Sequence, residues 1–386
     1  MDYPADWEIK KLGEIFDVFA GGDVKKNNFS HVKTSKYQYE VFSNGVNNKG
    51  LYGYTSKALY PANSLTVSAR GTIGQAFFRD KDFDAVIRLL VLIPQNNNIQ
   101  PKFYEYYINS QIIFEKENTG VAQLTAPKIT NYSIPLPPLP EQKAIAETLE
   151  NFDAHIKNLS ELIEKKKAIR DGALDDLMTG RKRLKGFSGE WEVKKLGECG
   201  KFVSGNGFPL AYQGKTKGLY PFYKVSDLNN DGNEKYMFTS NNYISQEIAQ
   251  KLSCNIIPAN SIIFAKIGAA IFLERKRITT CNCCIDNNMM SFQPFQSISS
   301  HFICCVMQNL KFSDYVQTTA LPSLSGKILD DILIPLPPLA EQKAIAETLT
   351  AFDDEIKALE AERDKIKKIR DGAMNDLLTG KIRLKF

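Results

Sequence analysis

Histidine is scarce: only His31, His155 and His301 occur in 386 residues. Imidazole is the usual acid and base near neutral pH, so general acid–base chemistry is poorly supplied. No cysteine precedes Cys199, which rules out a disulfide framework for the first half. The seven that follow are Cys199, Cys254, Cys281, Cys283, Cys284, Cys304 and Cys305, an odd number that reads most simply as free thiols in a reducing compartment. With His301 they match no zinc-ligand spacing, and Cys304 and Cys305 sit in an apolar helical run where a thiol acts as a small hydrophobe, so no metal is expected. No apolar run approaches the roughly 20 residues of a membrane span. The opening Met-Asp-Tyr-Pro-Ala-Asp-Trp7 has no basic stretch leading into an apolar core, so no signal peptide is expected and the setting is expected to be cytoplasmic.

Other motifs are missing as well. There is no Gly-x-x-x-x-Gly-Lys-Ser/Thr loop for nucleotide phosphates and no Asn/Asp-Pro-Pro-aromatic sequence of the kind adenine methyltransferases use. Glu8-Ile-Lys10 and Glu192-Val-Lys194 resemble the end of a nuclease motif only superficially, and no acidic metal-binding cluster accompanies them. No catalytic site is expected. Charge is nearly balanced, 49 basic against 44 acidic residues for a net +5, which permits a nucleic-acid partner without arguing for one.

What the chain does have is a duplication. Ile134-Pro-Leu-Pro-Pro-Leu139, Glu141-Gln-Lys-Ala-Ile-Ala-Glu-Thr-Leu149, Arg170-Asp-Gly-Ala173 and Thr179-Gly180 recur, without a gap, 200 residues later as Ile334 to Leu339, Glu341 to Leu349, Arg370 to Ala373 and Thr379-Gly380. About two-thirds of the positions across these fifty-odd residues are identical, far above chance. A second echo links Trp7-Glu-Ile-Lys-Lys-Leu-Gly-Glu14 with Trp191-Glu-Val-Lys-Lys-Leu-Gly-Glu198. Each unit thus has a Trp-led start, a variable body and a Pro-rich hinge with a long tail.

The bodies read as mixed α and β. Leu65 to Phe78 suggests a strand, a Gly-punctuated turn containing Arg70, and a second strand; Val86 to Ile93 suggests a buried strand; Phe103 to Phe114 has helical spacing. Ser261 to Gly268, carrying Lys266, and His301 to Leu310 are their counterparts. The Pro-rich hinge is extended and stiff, because proline lacks the donor and clashes with a preceding helical turn. A helix then starts at Pro140-Glu141 and at Ala340-Glu341, with the acid suited to the positive helix start. Ile145, Leu149, Phe152, Ile156, Leu159 and Ile163 alternate steps of four and three, as do Ile345, Leu349, Phe352, Ile356 and Leu359. This sustained stripe predicts a coiled-coil seam. Gly180 and Gly380 close the helices, each about 60 Å long, and Gly172 and Gly372 inside them predict a kink or close packing. The economical pairing is antiparallel. Arg383-Leu-Lys-Phe386 matches Arg183-Leu-Lys185-Gly-Phe187, so the sequence reads as a closed cycle cut at one point, with residues 1 and 386 expected close together.

Over almost its whole length the chain resembles the specificity subunits of type I restriction-modification systems. The resemblance rests on the duplicated Pro-Leu-Pro-Pro-Leu, Glu-Gln-Lys-Ala-Ile and Thr-Gly-Lys/Arg-x-Arg-Leu segments. It implies an α+β fold: two mixed α/β target-recognition domains, residues 1–140 and 186–340, separated by two long antiparallel coiled-coil helices, residues 141–185 and 341–386, in a pseudo-two-fold cyclic arrangement. It also implies a DNA-reading subunit without chemistry of its own, partnered by duplex DNA, two methyltransferase subunits and two motor-nuclease subunits. S-adenosylmethionine, ATP and Mg are expected on those partners and no cofactor on this chain. The rivals are a coiled-coil scaffold whose bodies bind proteins and the specificity component of another methylation or phage-defence system.

Base and phosphate contacts are expected from polar and basic side chains on loops of the bodies. The candidates are Arg70 and Lys266 in related turns, Asn44, Lys49, Lys224, Asn229 and Asn230 in polar loops, and Lys25 and Lys26 as phosphate contacts. Gln123, Thr125, Ser323 and Ser325 precede the hinges and face DNA or cap local backbone. The basic stretch Lys165 to Lys167 with Lys365, Lys367 and Lys368 is placed either over phosphates of an unread gap or on a solvated helix flank. Lys166 and Arg363 interrupt the seam and are expected to fix its register.

Overall fold

The computed structural model describes residues 3–114, 123–316 and 321–384. They form two compact units, residues 1–162 with 359–386 and residues 163–358. Two helices of 40 residues, Leu139–Met178 and Leu339–Leu378, run through both. Each helix starts directly on its hinge: Glu141 and Gln142 donate their backbone N–H to Pro138, and Glu341 and Gln342 do the same to Pro338.

In the first unit an antiparallel four-stranded sheet has the order Phe16–Ala20, Leu90–Pro94, Ser64–Val67, Ala76–Arg79. A three-stranded sheet has the order Leu51–Thr55, Tyr39–Phe42, Phe83–Ala85, its last pair parallel. The second unit repeats this with five strands, Gly200–Ser204, Met289–Pro294, Ile262–Ala265, Lys276–Thr279 and Tyr236–Met237. Its second sheet has Tyr243–Ile244, Tyr220–Tyr223 and Cys284–Ile285. The body helices Pro101–Gln111 and Ser300–Asn309 lie where periodicity predicts them. Each Pro-rich hinge begins as a strand despite its first proline: Ser133–Leu136 pairs antiparallel with the Trp-led Glu8–Lys11, and Leu333–Leu336 with Glu192–Lys195. A two-stranded ribbon tolerates proline because each strand has a free edge.

The duplicated Glu-Gln pair has a physical reason. Gln142 accepts from the Gln100 N–H at 2.8 Å and donates to Asn98 and Pro137 carbonyls, which stitches the start of the body helix to the start of the long one. Gln342 repeats this with Ser299 at 2.9 Å and Pro337. Glu141 and Glu341 are fully buried. Glu341 takes both arms of Arg183 at 2.6 Å and the Trp191 indole N–H at 3.0 Å. Glu141 holds Arg383 and the Trp7 indole N–H, the latter at 2.9 Å, while Arg383 also reaches Asp6 at 2.9 Å.

Ile145 and Leu149 belong to the core of the first body, packed with Phe103, Leu124, Ile134, Leu377 and Leu378. Ile345 and Leu349 likewise join Phe302, Ile334 and Leu177 in the second. Burying one such side chain contributes roughly 1.5–3 kcal/mol, so the start of the stripe anchors each body to its helices. Further along, Leu159 and Ile356 are buried, whereas Phe152, Ile156, Phe352 and Leu359 are half-buried. Gly172 and Gly372 are not held by packing: a Cβ there would meet open space, and the helix runs on through both.

Each unit also ties its body to a charged node on the helices. In the first, Asp153 accepts from Arg370 at 3.1 Å and from the Tyr106 hydroxyl at 2.7 Å. In the second, Asp353 accepts from Arg170 at 3.1 Å and from Lys235 at 3.3 Å. Beside this second node His301 Nε2 lies 2.9 Å from the Tyr236 hydroxyl. Burial, reinforced by the Lys235 ammonium, holds its pKa below the usual 6.5. The unfolded chain therefore binds a proton more readily at this site, so the contribution is full above pH 6.5 and is lost as pH falls from there towards the folded pKa. The expected result is a lower melting temperature at pH 5.5 than at pH 7.5, with part of that difference gone in His301→Gln. Equal pH slopes for the two proteins would refute it.

The free thiols follow their surroundings. Cys281 is exposed and Cys199, Cys283, Cys284 and Cys304 are buried. Burial pushes Cys284 and Cys304 up to about 12, which makes them unreactive near neutral pH. No helix is long and apolar enough to cross a membrane among the described residues.

Candidate nucleic-acid interface

Val86 to Ile93 is not one strand. The chain turns at Ile87-Arg88 and only then enters Leu90–Pro94. The run reads as apolar because both flanks of the turn are buried, and Arg88, its one polar residue, marks the exposed tip. This turn carries the chain from the three-stranded sheet to the four-stranded one, and the loops that meet it form the candidate interface.

Three loops converge in the first unit. Asn44 donates to the Ile87 carbonyl at 2.5 Å and accepts from the Ala69 N–H at 2.7 Å, which joins the 43–50 loop, the 87–88 turn and the start of the 69–75 loop. Arg70 is exposed next to Ala69 and donates to the Gln123 side chain at 3.0 Å. The Ala69 carbonyl accepts from the Leu124 N–H at 2.9 Å. Arg70, Gln123 and Arg88 thus stand at one end of the body, on a frame whose polar groups are satisfied. Asn44, singled out as a possible base reader, has both ends of its amide engaged within the body.

The second unit builds the same end with other side chains. The Lys266 N–H donates to the Asn288 carbonyl at 2.8 Å, and its ammonium, half-buried, donates to Ser204 at 3.0 Å. Burial lowers its pKa. The Lys266 carbonyl accepts from Leu324, as Ala69 accepts from Leu124. The register therefore matches Lys266 with Ala69, one residue before Arg70, so the two cations are neighbours in the pattern rather than equivalents. Ser323 pairs with Ile267 across a bridge.

Other candidates lie on loops with contacts of their own. Lys25 and Lys26 are exposed at the start of the turn Lys26–Asn28. Lys224 caps the turn Val225–Asn229 and donates to Gln213 at 3.0 Å. Asn229 accepts from Arg275, and Asn230 and Asn241 exchange side-chain hydrogen bonds. Thr125 and Ser325 stand immediately before the short helices Ala126–Ile129 and Gly326–Asp330 without capping them through their side chains. Lys165, Lys365, Lys367 and Lys368 are exposed on the long helices, while Lys166 pairs with Glu355 at 2.7 Å.

Two features escaped the sequence reading. Arg79 is almost fully buried, stacked 3.4 Å above the Phe42 ring, and donates to Thr66 and to the Lys49 carbonyl at 2.7 Å. Burial lowers its pKa to about 10, still well above neutral, so it braces the left-handed Asn48-Lys49 turn as a cation. The other is the tip itself, Ile87-Arg88 and Asn287-Asn288. The 200-residue offset that links the hinges also links these tips and the prolines after them, Pro94 and Pro294, and would have been the signal to follow.

Comparison with known proteins places this geometry in context. The family model for the type I restriction modification DNA specificity domain matches residues 4–167 and again residues 188–368. The putative type I restriction enzyme MjaX specificity subunit of Methanocaldococcus jannaschii is 26% identical over 421 residues, covering 100% of this chain and 95% of the relative. The MjaVIII specificity subunit of the same organism is 27% identical, covering 99% and 94%. Among solved structures, the type I system S subunit from M. genitalium superposes with a TM-score of 0.61 at 20% identity over 98% of both chains. The HsdS subunit from Thermoanaerobacter tengcongensis gives 0.53 at 16% identity over 99% of both.

Proposed function

The chain belongs to the type I restriction-modification DNA specificity family, as a DNA sequence-recognition subunit, and on that premise we propose that its two bodies read the two halves of a split target. Residues 1–140 and 186–340 are the recognition domains. Residues 141–185 and 341–386 are the spacers that set the unread gap and dock the methyltransferase subunits. The observation that carries this reading is the contrast between the copies: the same strand-turn-loop end appears in each body with different side chains, whereas the helices keep most of their residues, 24 of 40 being identical.

The spacers act as an antiparallel coiled coil with an approximate two-fold, cyclic arrangement. Supporting this, Arg370 meets Asp153 in one unit and Arg170 meets Asp353 in the other. Arg383, near the far end of the sequence, fills against Glu141 the role that Arg183 fills against Glu341 inside it. Residues 1 and 386 themselves fall outside the described residues. A stiff spacer of about 60 Å is long enough to hold two readers one DNA turn apart and stops short of two, given about 34 Å per turn. The partners are duplex DNA, two methyltransferase subunits and two motor-nuclease subunits in the cytoplasm. The chain supplies recognition and no catalytic group, and S-adenosylmethionine, ATP and Mg act on the partner subunits. Arg70, Gln123, Lys266 and Ser323 face the DNA near the turn tips. Lys25, Lys26, Lys49 and Lys224 contribute to phosphate attraction, which falls with salt.

The test is to insert four residues, about one helical turn, into one long helix and map the methylated sequences. The expected outcome is an unchanged pair of half-sites with an altered gap. An unaltered gap would remove the spacer role, and the absence of salt-dependent, sequence-selective binding of duplex DNA would remove the reading as a whole.

A further inference from the structure

The two turn tips are held by the same backbone frame. Val86 N–H donates to Phe42 and Asp286 N–H to Tyr223, each at 2.9 Å. Gly21 N–H donates to Leu89 and Gly205 N–H to Met289. Each turn closes on its own i to i+3 bond, Leu89 to Val86 at 3.2 Å and Met289 to Asp286 at 2.9 Å. Both glycines press on the turn so closely that a side chain would not fit. A Cβ on Gly21 would lie 2.6 Å from the Ala85 carbonyl, and one on Gly205 would lie 2.0 Å from that of Asp286.

On this common frame the exposed residues differ completely: Ile87-Arg88 in one unit, Asn287-Asn288 in the other. Their conformations run against local preference. Ile87 and Arg88 are left-handed, with φ of 56° and 62°, although a β-branched residue resists that region. The Asn pair, which tolerates it, does not use it. The Arg88 and Ile87 N–H groups donate to the Gly21 and Gly22 carbonyls at 3.0 and 2.8 Å, and the Asn44 amide donates to the Ile87 carbonyl, which together hold the strained turn. Strain kept at an exposed tip, with a large apolar and a cationic side chain displayed, is a signature of function rather than of folding.

We infer that these tips are specificity-determining elements of the two half-sites, an inference that rests on the recognition reading above. Arg88 presents a fork of donors suited to the O6 and N7 acceptors of guanine, and Ile87 an apolar surface suited to a thymine methyl. Asn287 and Asn288 present the amide geometry that pairs with the N6 and N7 edge of adenine. The first unit's tip reads a guanine-containing step and the second unit's an adenine-containing one.

The experiment maps genome-wide methylation in cells that carry the full chain with its methyltransferase partner. The variants are Arg88→Ala, Asn287→Ala and Asn288→Ala, with thermal melting as the folding control. Arg88→Ala is expected to weaken preference at one base pair of one half-site by roughly ten- to a hundredfold and to leave the other half-site intact. At least one Asn variant does the same in the opposite half. A uniform loss of methylation with an unchanged motif would reduce the tips to phosphate contacts and overturn the inference, as would no change at all. Where an alanine variant fails to fold, the double exchange Ile87→Asn with Arg88→Asn replaces it, and a shift of that half-site towards adenine is the supporting result. A motif that stays unchanged in the folded exchange overturns the inference. A split motif in the wild type together with inert tips sinks this inference and leaves the recognition reading standing, whereas a wild type without a split motif sinks both.

Discussion

Glu341→Ala destabilises the second unit by about 3 kcal/mol. The carboxylate is fully buried at the start of a 40-residue helix and accepts three hydrogen bonds, two from the Arg183 guanidinium and one from the Trp191 indole. Charge-assisted hydrogen bonds contribute about 1.5–3 kcal/mol each, and the indole donor is left without its acceptor. Arg183, partly exposed, turns to water and recovers some of the loss, which is why the estimate stays below the simple sum. The positive helix start also loses its acid. Glu341→Gln keeps the shape and one acceptor oxygen, and its expected cost is roughly half as large. The chain holds two tryptophans, one per unit, so Trp7→Phe leaves Trp191 as the sole indole reporter beside the mutated group. Urea unfolding followed by its fluorescence measures the change. A loss below about 1 kcal/mol would mean that the triad is ornamental. Glu141→Ala, read through Trp7 in a Trp191→Phe background, is expected to behave alike.

Why the triad recurs bears on how the chain works. In the second unit Arg183 and Trp191 belong to the segment that links helix to body. In the first, Arg383 and Trp7 meet from opposite ends of the sequence. One carboxylate per helix therefore fixes where the body preceding that helix starts, and the recognition ends are presented from a defined base. The salt bridges at Asp153 and Asp353 add a second point of fixation, where Tyr106 or Lys235 of the body takes part.

Much of this was legible in the residues. The duplicated hinge, both long helices and both body helices follow from periodicity and proline placement. The unread parts share a cause, since hydrophobic periodicity reports burial without saying against what. The spacing of Ile145 and Leu149 predicts a seam between helices, and both are buried against the body. Val86 to Ile93 reads as one strand because a turn with buried flanks leaves a single polar residue, Arg88, as its only mark. The strand that the hinge forms with the Trp-led segment was hidden because its pairing spans more than 120 residues. Arg79 was invisible because a cation becomes a core residue only when Phe42, Thr66 and a loop carbonyl surround it. At the candidate interface, sequence reading singles out the loops carrying Arg70, Gln123, Lys266 and Ser323 but not the turn tips beside them. No local rule would place an isoleucine in a left-handed turn.

Gly205→Ala tests the frame beneath those tips and is the second large effect. The added Cβ would sit 2.0 Å from the Asp286 carbonyl oxygen and 2.4 Å from that of Ile285. Both are backbone atoms, so neither rotates away as a side chain would. The strand Gly200–Ser204 ends beside Gly205, and Gly205 and Asn206 donate to Met289 and Ile285, so relief requires the turn to move outward and those bonds to lengthen. Overpacking of this kind costs about 3 kcal/mol. Gly207→Ala, two residues on, meets nothing within 4 Å and is expected to fall within about 0.5 kcal/mol of the parent. Denaturant melts of the pair measure the difference. Because Asn287-Asn288 follows directly from the displaced carbonyls, Gly205→Ala is also expected to blur one half of the methylated motif while the Gly207 variant leaves it sharp. Equal stability of the two variants would show that the turn yields freely, and a frame that yields freely has no means of holding a reader in register with its base.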